Sequence, residues 1–320
     1  MRSFALFSGF VAAVSCALVA VAACDGGSSD VARGGGPLEL PDRASPTDST
    51  DAGSSGNDGG RNTTDGATES GAGDGGRDLS SDRALFFGVS RCGSAGLRFC
   101  EDFESGSLDT ATWTKVGAAP VVDGLQHARG TKALHITVNG NGPSYIRETK
   151  SFPATNNSYW GRMFVWFESL PVAPLTYAHW TFAAATGSVV PGEIRLSGQL
   201  QNGMNLFGVG TDNRTPTGTG DWTNSDKDPA SPLAVPTKQW LCIEWLHQGS
   251  TNETRFFWDA VEHPSLYTSS SKHGGNANAY VLPQFDALWV GWNEYQPSTE
   301  KFEMWVDEIA LDGQRIGCVQ

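Results

Sequence analysis

The sequence predicts an all-β domain, a jelly-roll sandwich of two antiparallel sheets, carried behind a disordered linker. Three observations predict it. Nine segments of alternating or β-rich character recur between Gly, Pro, Asn and Asp punctuation, at 133–138, 145–152, 159–167, 178–183, 193–201, 240–247, 254–258, 287–293 and 302–311. No segment sustains a 3.6-residue apolar period with helix caps. All eleven tryptophans fall between Trp113 and Trp305, so the aromatic content is confined to one globular part. The strand count exceeds a minimal immunoglobulin module and suits a larger sandwich. The expected division is 1–23 signal peptide, 24–83 acylated cysteine and linker, and 84–320 domain.

The N-terminus has a basic start at Arg2, an apolar stretch from about Phe4 to Val21, and small residues ahead of Cys24. The stretch is short for a permanent span, which needs ~20 apolar residues, and no stop-transfer pattern follows. Leu18-Val19-Ala20-Val21-Ala22-Ala23-Cys24 resembles the bacterial lipobox, which implies acylation of Cys24 and a membrane anchor made of lipid alone. Two or three acyl chains hold stably where one does not. An ordinary secretory signal cut after Ala22 or Ala23 is the alternative. Both place the mature chain outside the cytoplasm, at the cell surface or outer membrane in the lipidated case. Asp25 retains such proteins at the inner membrane in some double-membraned bacteria.

Residues 25–83 are dominated by Gly, Ser, Asp and Thr and contain no aromatic residue. They cannot bury enough apolar surface to offset ordering entropy, so disorder is expected. A glycine-rich coil of this length reaches roughly 40 Å. This segment carries 12 acidic and 5 basic residues and the remainder to 320 carries 23 and 16, so each part has a net −7. Neither is basic, which argues against nucleic acid or an anionic membrane surface as a partner. A monomer is expected.

With Cys16 in the signal and Cys24 acylated, Cys92, Cys100, Cys242 and Cys318 remain. An even number in an exported domain suggests two disulfides, for which three connectivities exist. Cys92 with Cys100, closing a short loop, and Cys242 with Cys318, tying an internal strand to the chain end, is the favoured pairing. No Cys-x-x-Cys or paired histidines suggest zinc.

In 193–201 the odd positions Glu193, Arg195, Ser197, Gln199 and Gln201 are polar, and the even positions are apolar or Gly198. One face therefore meets the core and the other meets water or ligand. His179 and Thr181 share a parity in their own segment, and 289–296 adds Trp292, Tyr295 and Gln296 near a strand end. Aromatic rings against apolar sugar faces, with amides, carboxylates and guanidinium groups on the hydroxyls, are how saccharides are held. The expected binding residues are Glu193, Gln199, Asn205, Trp292 and Gln296, and the expected partner is a polysaccharide, an acidic one included.

Phe99-Cys100-Glu101-Asp102-Phe103-Glu104 with Trp113 opens the domain, and Phe302-Glu303-Met304-Trp305-Val306-Asp307-Glu308-Ile309-Ala310-Leu311 with Arg315-Ile316-Gly317-Cys318 closes it. Between them stand His127-Ala128-Arg129-Gly130-Thr131-Lys132, Tyr159-Trp160-Gly161-Arg162, Gly192-Glu193-Ile194-Arg195 and Trp240-Leu241-Cys242-Ile243-Glu244-Trp245. Across about 97–318, these residues resemble the concanavalin A-like lectin/glucanase superfamily. More narrowly they resemble its polysaccharide-lyase-like group, which includes glucuronan lyases and cellulose-induced secreted jelly-roll proteins.

The resemblance implies a structural calcium where the first strand, an early loop and the last strand meet. Its ligands on this chain would be Glu101 or Asp102, a carbonyl near Gly130, and Asp307, oxygen donors of the kind calcium takes. The chain departs from the pattern at Lys132, where the family has Asn and where a lysine offers no oxygen.

A uronate lyase needs a group to neutralise the sugar carboxylate, a base for the C5 proton and an acid for the leaving oxygen. Arg195 would neutralise, His179 would be the base, and Tyr295 the base or acid. The Arg-x-Glu-x-Arg and Gln-Ile-His signatures of other alginate-lyase jelly rolls are absent from the sequence. So is the Glu-x-Asp-x-Glu triplet of a retaining glucanase, in which two carboxylates flank one glycosidic bond. Polysaccharide binding is the leading expectation, uronate β-elimination the second, and an adhesive surface protein the third.

Overall fold

The computed structural model describes residues 76–93, 96–212, 220–224, 234–273 and 280–320. The signal peptide, Cys24 and the linker up to residue 75 lie outside the described residues.

Among the described residues fifteen strands follow in order: β1 Phe99–Glu101, β2 Trp113–Gly117, β3 Val121–Asp123, β4 Ala133–Asn139, β5 Gly142–Glu148, β6 Ser158–Phe167, β7 Tyr177–Gly187, β8 Gly192–Gln201, β9 Met204–Asp212, β10 Gly220–Asn224, β11 Trp240–Gln248, β12 Glu253–Trp258, β13 Val261–Glu262, β14 Ala287–Glu294 and β15 Lys301–Asp312. One sheet runs β13-β12-β11-β6-β15-β4-β3, with β1 added to β15, and the other runs β10-β9-β8-β7-β14-β5-β2. Neighbouring strands in both are antiparallel. This is a two-sheet concanavalin A-like jelly roll.

The period-2 pattern sets the core. Ile194 and Leu196 on β8, Phe182 on β7, Val209 on β9 and Val290 on β14 meet Ile243 and Trp245 on β11, Val165 on β6 and Val306 on β15, all fully buried. Gly198 sits opposite Trp180 because a Cβ there would come within 2.2 Å of the indole. Sequence reading missed β9, whose Gly208 and Gly210 resemble turn punctuation but pair with Ser197 and Arg195 inside the sheet.

A second apolar cluster lies on the outer face of the eight-stranded sheet. Phe164, Trp240 and Trp305 there are covered by Phe86 and Cys318, with Phe87 and Val319 against them. The segment from residue 76 onward is part of this layer, so the expected linker boundary at 83 is too late. Arg77 pairs with Asp312, and Arg83 pairs with Asp259 and donates to the Trp240 carbonyl. The disulfides are Cys92–Cys100 and Cys242–Cys318, the favoured pairing.

Beneath this layer Arg129, with no exposed surface, uses its whole guanidinium. It donates to the carbonyls of Phe86 (2.6 Å), Cys318 (2.6 Å) and Gln320 (2.8 Å), and to Glu308 at 2.5 Å. Glu308 also accepts from Arg162 at 2.8 Å, and all three side chains are fully buried.

Candidate functional site

The outer face of the seven-stranded sheet gathers the polar residues that alternation put there. The register aligns His179 with Gln199, Thr181 with Ser197, and Ala184 with Arg195 across β7 and β8. A register shift between Thr181 and Ala183 lets β7 follow the same face past this point. Tyr295, just beyond β14, is tied to β7 by its backbone N–H on the His179 carbonyl at 3.2 Å.

The three expected catalytic residues meet here. The His179 and Tyr295 rings stack with centroids 4.4 Å apart and planes 7° from parallel. The Arg195 guanidinium carbon lies 5.7 Å from the Tyr295 centroid. Thr181 Oγ1 is 3.3 Å from the Tyr295 hydroxyl and 3.0 Å from Ser197 Oγ, so three hydroxyls form a chain beneath the stack. Thr181 and Ser197 were not among the expected site residues, although the parity of their strands placed them on this face.

Electrostatics favour a neutral imidazole. Burial, and next the charge of Arg195, hold the His179 pKa below its ordinary value, and the Gln296 side chain only partly opposes them. Gln296 is a positioning group, because its Oε1 accepts the His179 backbone N–H at 2.6 Å. Arg195 is paired with Glu193 at 3.4 Å, and Gln199 donates to Gln201 at 2.7 Å. A second aromatic pair occupies the same face, Tyr145 on Trp289 at 4.5 Å, with Arg147 opposite Trp289 in the ladder.

Two expected binding residues are elsewhere. Trp292 is 1% exposed and stacks in the core on Trp180 (5.2 Å) and Phe302 (5.1 Å), because its parity is opposite to that of Trp289. Asn205 pairs with Leu200 and so shares the core-facing parity. It accepts from the Trp180 indole at 3.1 Å and donates to the Pro171 carbonyl at 2.8 Å.

Two of the expected calcium ligands, Glu101 and Asp307, lie on opposite faces of the eight-stranded sheet. Glu101 stands opposite the core residue Ile309, whereas Asp307 stands opposite Phe164 on the outer face. Their oxygens are also engaged by donors. Glu101 accepts from the Phe103 N–H and the Trp113 indole, both at 3.0 Å, and Asp307 accepts the N–H groups of Ala128, Arg129 and Glu308 at 2.7–2.9 Å. Asp102 accepts from Ser90 Oγ and the Glu104 N–H. Gly130, at φ +64°, donates its N–H to the Gly88 carbonyl, and a Cβ there would strike the Glu104 carboxylate. Each carboxylate has about four acceptor sites, so these bonds leave lone pairs on Glu101, Asp102 and Asp307 alike, and it is the facing of Glu101 that separates it from Asp307. Among the described residues no group of three or more His, Cys, Asp or Glu could hold a metal ion.

No family model matches the chain, and no curated protein matches it either. Solved structures do. The cellulose-induced protein Cip1 is similar over 69% of this chain and 100% of its own, with TM-score 0.51 and 17% identity. A family 16 glycosyl hydrolase protein from Mycobacterium smegmatis covers 68% of this chain and 100% of its own, with TM-score 0.43 and 12% identity. Alginate lyase AlyC3 covers 56% of this chain and 74% of its own, with TM-score 0.39 and 10% identity. At such identities the likeness to Cip1 shows the fold alone.

Proposed function

We propose that this protein is a surface-tethered polysaccharide-binding protein whose outer face on the seven-stranded sheet engages an acidic glycan. The observation that carries the reading is the meeting of Arg195, the His179–Tyr295 stack and the Thr181 and Ser197 hydroxyls on three neighbouring elements. A guanidinium supplies fork-shaped, charge-assisted donors to a carboxylate and the stacked rings offer apolar surface, while the fully buried Thr181 and Ser197 hydroxyls hold Tyr295 from beneath. The fold shared with Cip1 agrees with a carbohydrate-directed role. The test is retention on insoluble and immobilised glycans, acidic and neutral, with Arg195→Ala alongside. Loss of the charge-assisted contact costs on the order of 1.5–3 kcal/mol, so acidic glycan is released at lower concentration while the melt is unchanged. Equal binding by the variant overturns this reading, and binding to protein ligands alone favours an adhesive role.

A second reading rests on the depressed pKa of His179 beside Tyr295. A neutral imidazole removes the C5 proton of a uronate whose carboxylate is neutralised by Arg195, and the phenol gives a proton to the leaving oxygen, so the glycosidic bond breaks by β-elimination. Ultraviolet absorbance of an unsaturated uronate measures it directly. Under this reading His179→Ala abolishes the signal while binding falls no more than several-fold; absence of product from every uronate polymer tried removes it.

A further inference from the structure

A groove of about 1080 Å³ opens on the opposite side of the sandwich, at the end of the β6–β11 ladder. Its floor is the outer face of the eight-stranded sheet, where Trp160 stands opposite Leu246 and Ser158 opposite Gln248. The half-buried Trp160 ring is fixed by neighbours on its own face of the sheet. Phe257 packs on it at 5.5 Å, and the Arg315 guanidinium lies 4.1 Å from the Phe257 centroid and 5.9 Å from that of Trp160.

The rim is built with equal constraint. Asn156 and Asn157 both hold left-handed backbone, at φ +52° and +54°. Consecutive left-handed residues persist only where their surroundings over-determine them, and they concentrate at ligand clamps. Asn157 does the holding, donating to the Pro283 carbonyl at 2.9 Å and accepting from the Phe285 N–H at 2.8 Å. Gly249 closes the opposite side, since a Cβ there would come within 2.7 Å of Asn157. Asn156 is left exposed at the rim, across from Gln248 and Ser250. Arg98 is oriented beside them by its bond to the Ser151 carbonyl at 2.6 Å. Among the described residues no Asp or Glu lines the groove, in a chain of net charge −13.

We propose that this groove is a second saccharide-binding site. The Trp160 ring takes the apolar face of a pyranose, the Asn156 and Gln248 amides and the Ser250 hydroxyl take its hydroxyl groups, and Arg98 accepts a carboxylate where the sugar is a uronate. A rigid ring and a pinned rim leave little conformational entropy to lose on binding. The site stands independently of the one on the seven-stranded sheet. With both occupied, one domain holds a glycan chain on each of its two faces, and tethering strengthens through effective concentration.

The test is titration of isotope-labelled protein with cellohexaose and, separately, with a glucuronate hexamer, read from the backbone amides of Gly249 and Ser250 and the Trp160 indole N–H. The expected result is a saturable shift with at least one probe. Asn156→Gly keeps the left-handed backbone and removes the amide; combined with Gln248→Ala it weakens binding at least tenfold, with the melt unchanged. Arg195→Ala leaves these shifts intact. Arg98→Ala, an exposed position, weakens the glucuronate probe only, which separates acidic from neutral recognition. No shift with either probe, an undiminished shift in the double variant, or a shift lost in Arg195→Ala each overturns the proposal.

Discussion

The His179 imidazole lies flat against the Tyr295 phenol, with centroids 4.4 Å apart and planes 7° from parallel. The stack makes the two residues one unit, while the Tyr295 hydroxyl stays joined to Thr181 at 3.3 Å. Ring and hydroxyl can therefore be separated by substitution. Tyr295→Phe keeps the ring and removes the hydroxyl, and Tyr295→Ala removes both. An aromatic pair contributes about 0.5–1.5 kcal/mol beyond its buried area. The expected outcome is near-normal glycan affinity for Tyr295→Phe and a several-fold loss for Tyr295→Ala, measured by calorimetry. Any lyase activity is lost in both, since neither retains the phenolic proton.

Arg129 and Glu308 give the second prediction. Removing one partner of a fully buried ion pair costs about 3–5 kcal/mol, and Glu308 keeps Arg162 at 2.8 Å, which holds the cost of losing Arg129 towards the low end. Arg129 also donates to Phe86 and to the chain end from Cys318 to Gln320, so Arg129→Met removes hydrogen bonds from both ends of the domain at once, while the Cys242–Cys318 disulfide still fastens the latter. Denaturant unfolding is expected to show a loss of that size. Chelation by EDTA is expected to leave the wild-type melt unchanged, because the junction is closed by a guanidinium. A melt lowered by EDTA and restored by calcium contradicts this account.

The sheet face was legible in the sequence because period 2 on β8 is unbroken, so Glu193, Arg195, Ser197 and Gln199 share a side whatever the partner strand. Trp292 and Asn205 were misplaced for different reasons. Trp292 lies three residues from Trp289, which reverses its parity, and the register shift between Val290 and Asn293 obscures this from sequence. Asn205 belongs to β9, whose glycines hid the strand. The separation of Glu101 from Asp307 rests on a feature with no local signature. Glu308 turns left-handed at φ +42°, and the register of β15 slips between Asp307 and Ala310, so Asp307 and Glu101 reach opposite faces.

Anchoring is the third prediction, resting on the small-residue run before Cys24. Cys24→Ser removes the thiol that would carry the acyl chains. The expected result is a shift of the full-length protein from the detergent phase to the aqueous phase in Triton X-114 partitioning of expressing cells. Unchanged partitioning excludes lipid attachment at this residue.

The two disulfides differ in the loops they close, with sequence separations of 8 for Cys92–Cys100 and 76 for Cys242–Cys318. Chain-entropy arguments assign about 2.5 kcal/mol to the shorter loop and about 4.5 kcal/mol to the longer. Replacing each pair by Ala in separate variants is expected to destabilise the domain in that order by denaturant titration. The reverse order shows that native packing around Cys92 outweighs loop closure.

Glu294 supplies the prediction for pH. Its parity on β14 turns it inward opposite Trp180, and it is 1% exposed. Burial pushes its pKa up to about 7, Glu300 adds in the same direction, and only the Gln296 backbone amide offsets them. The folded state thus binds its proton more tightly than the unfolded chain, where the carboxyl titrates near 4.5. The stability this gives is full below about pH 4.5 and falls as pH rises towards 7, by an amount on the order of 3 kcal/mol. Glu294→Gln removes the titration. Between pH 5 and pH 8 the variant is expected to lose less stability than wild type in urea unfolding, and the difference in slope, not in absolute stability, is the quantity to compare. Parallel pH profiles mean that the carboxyl reaches water or a donor, and then it cannot be the source of the dependence.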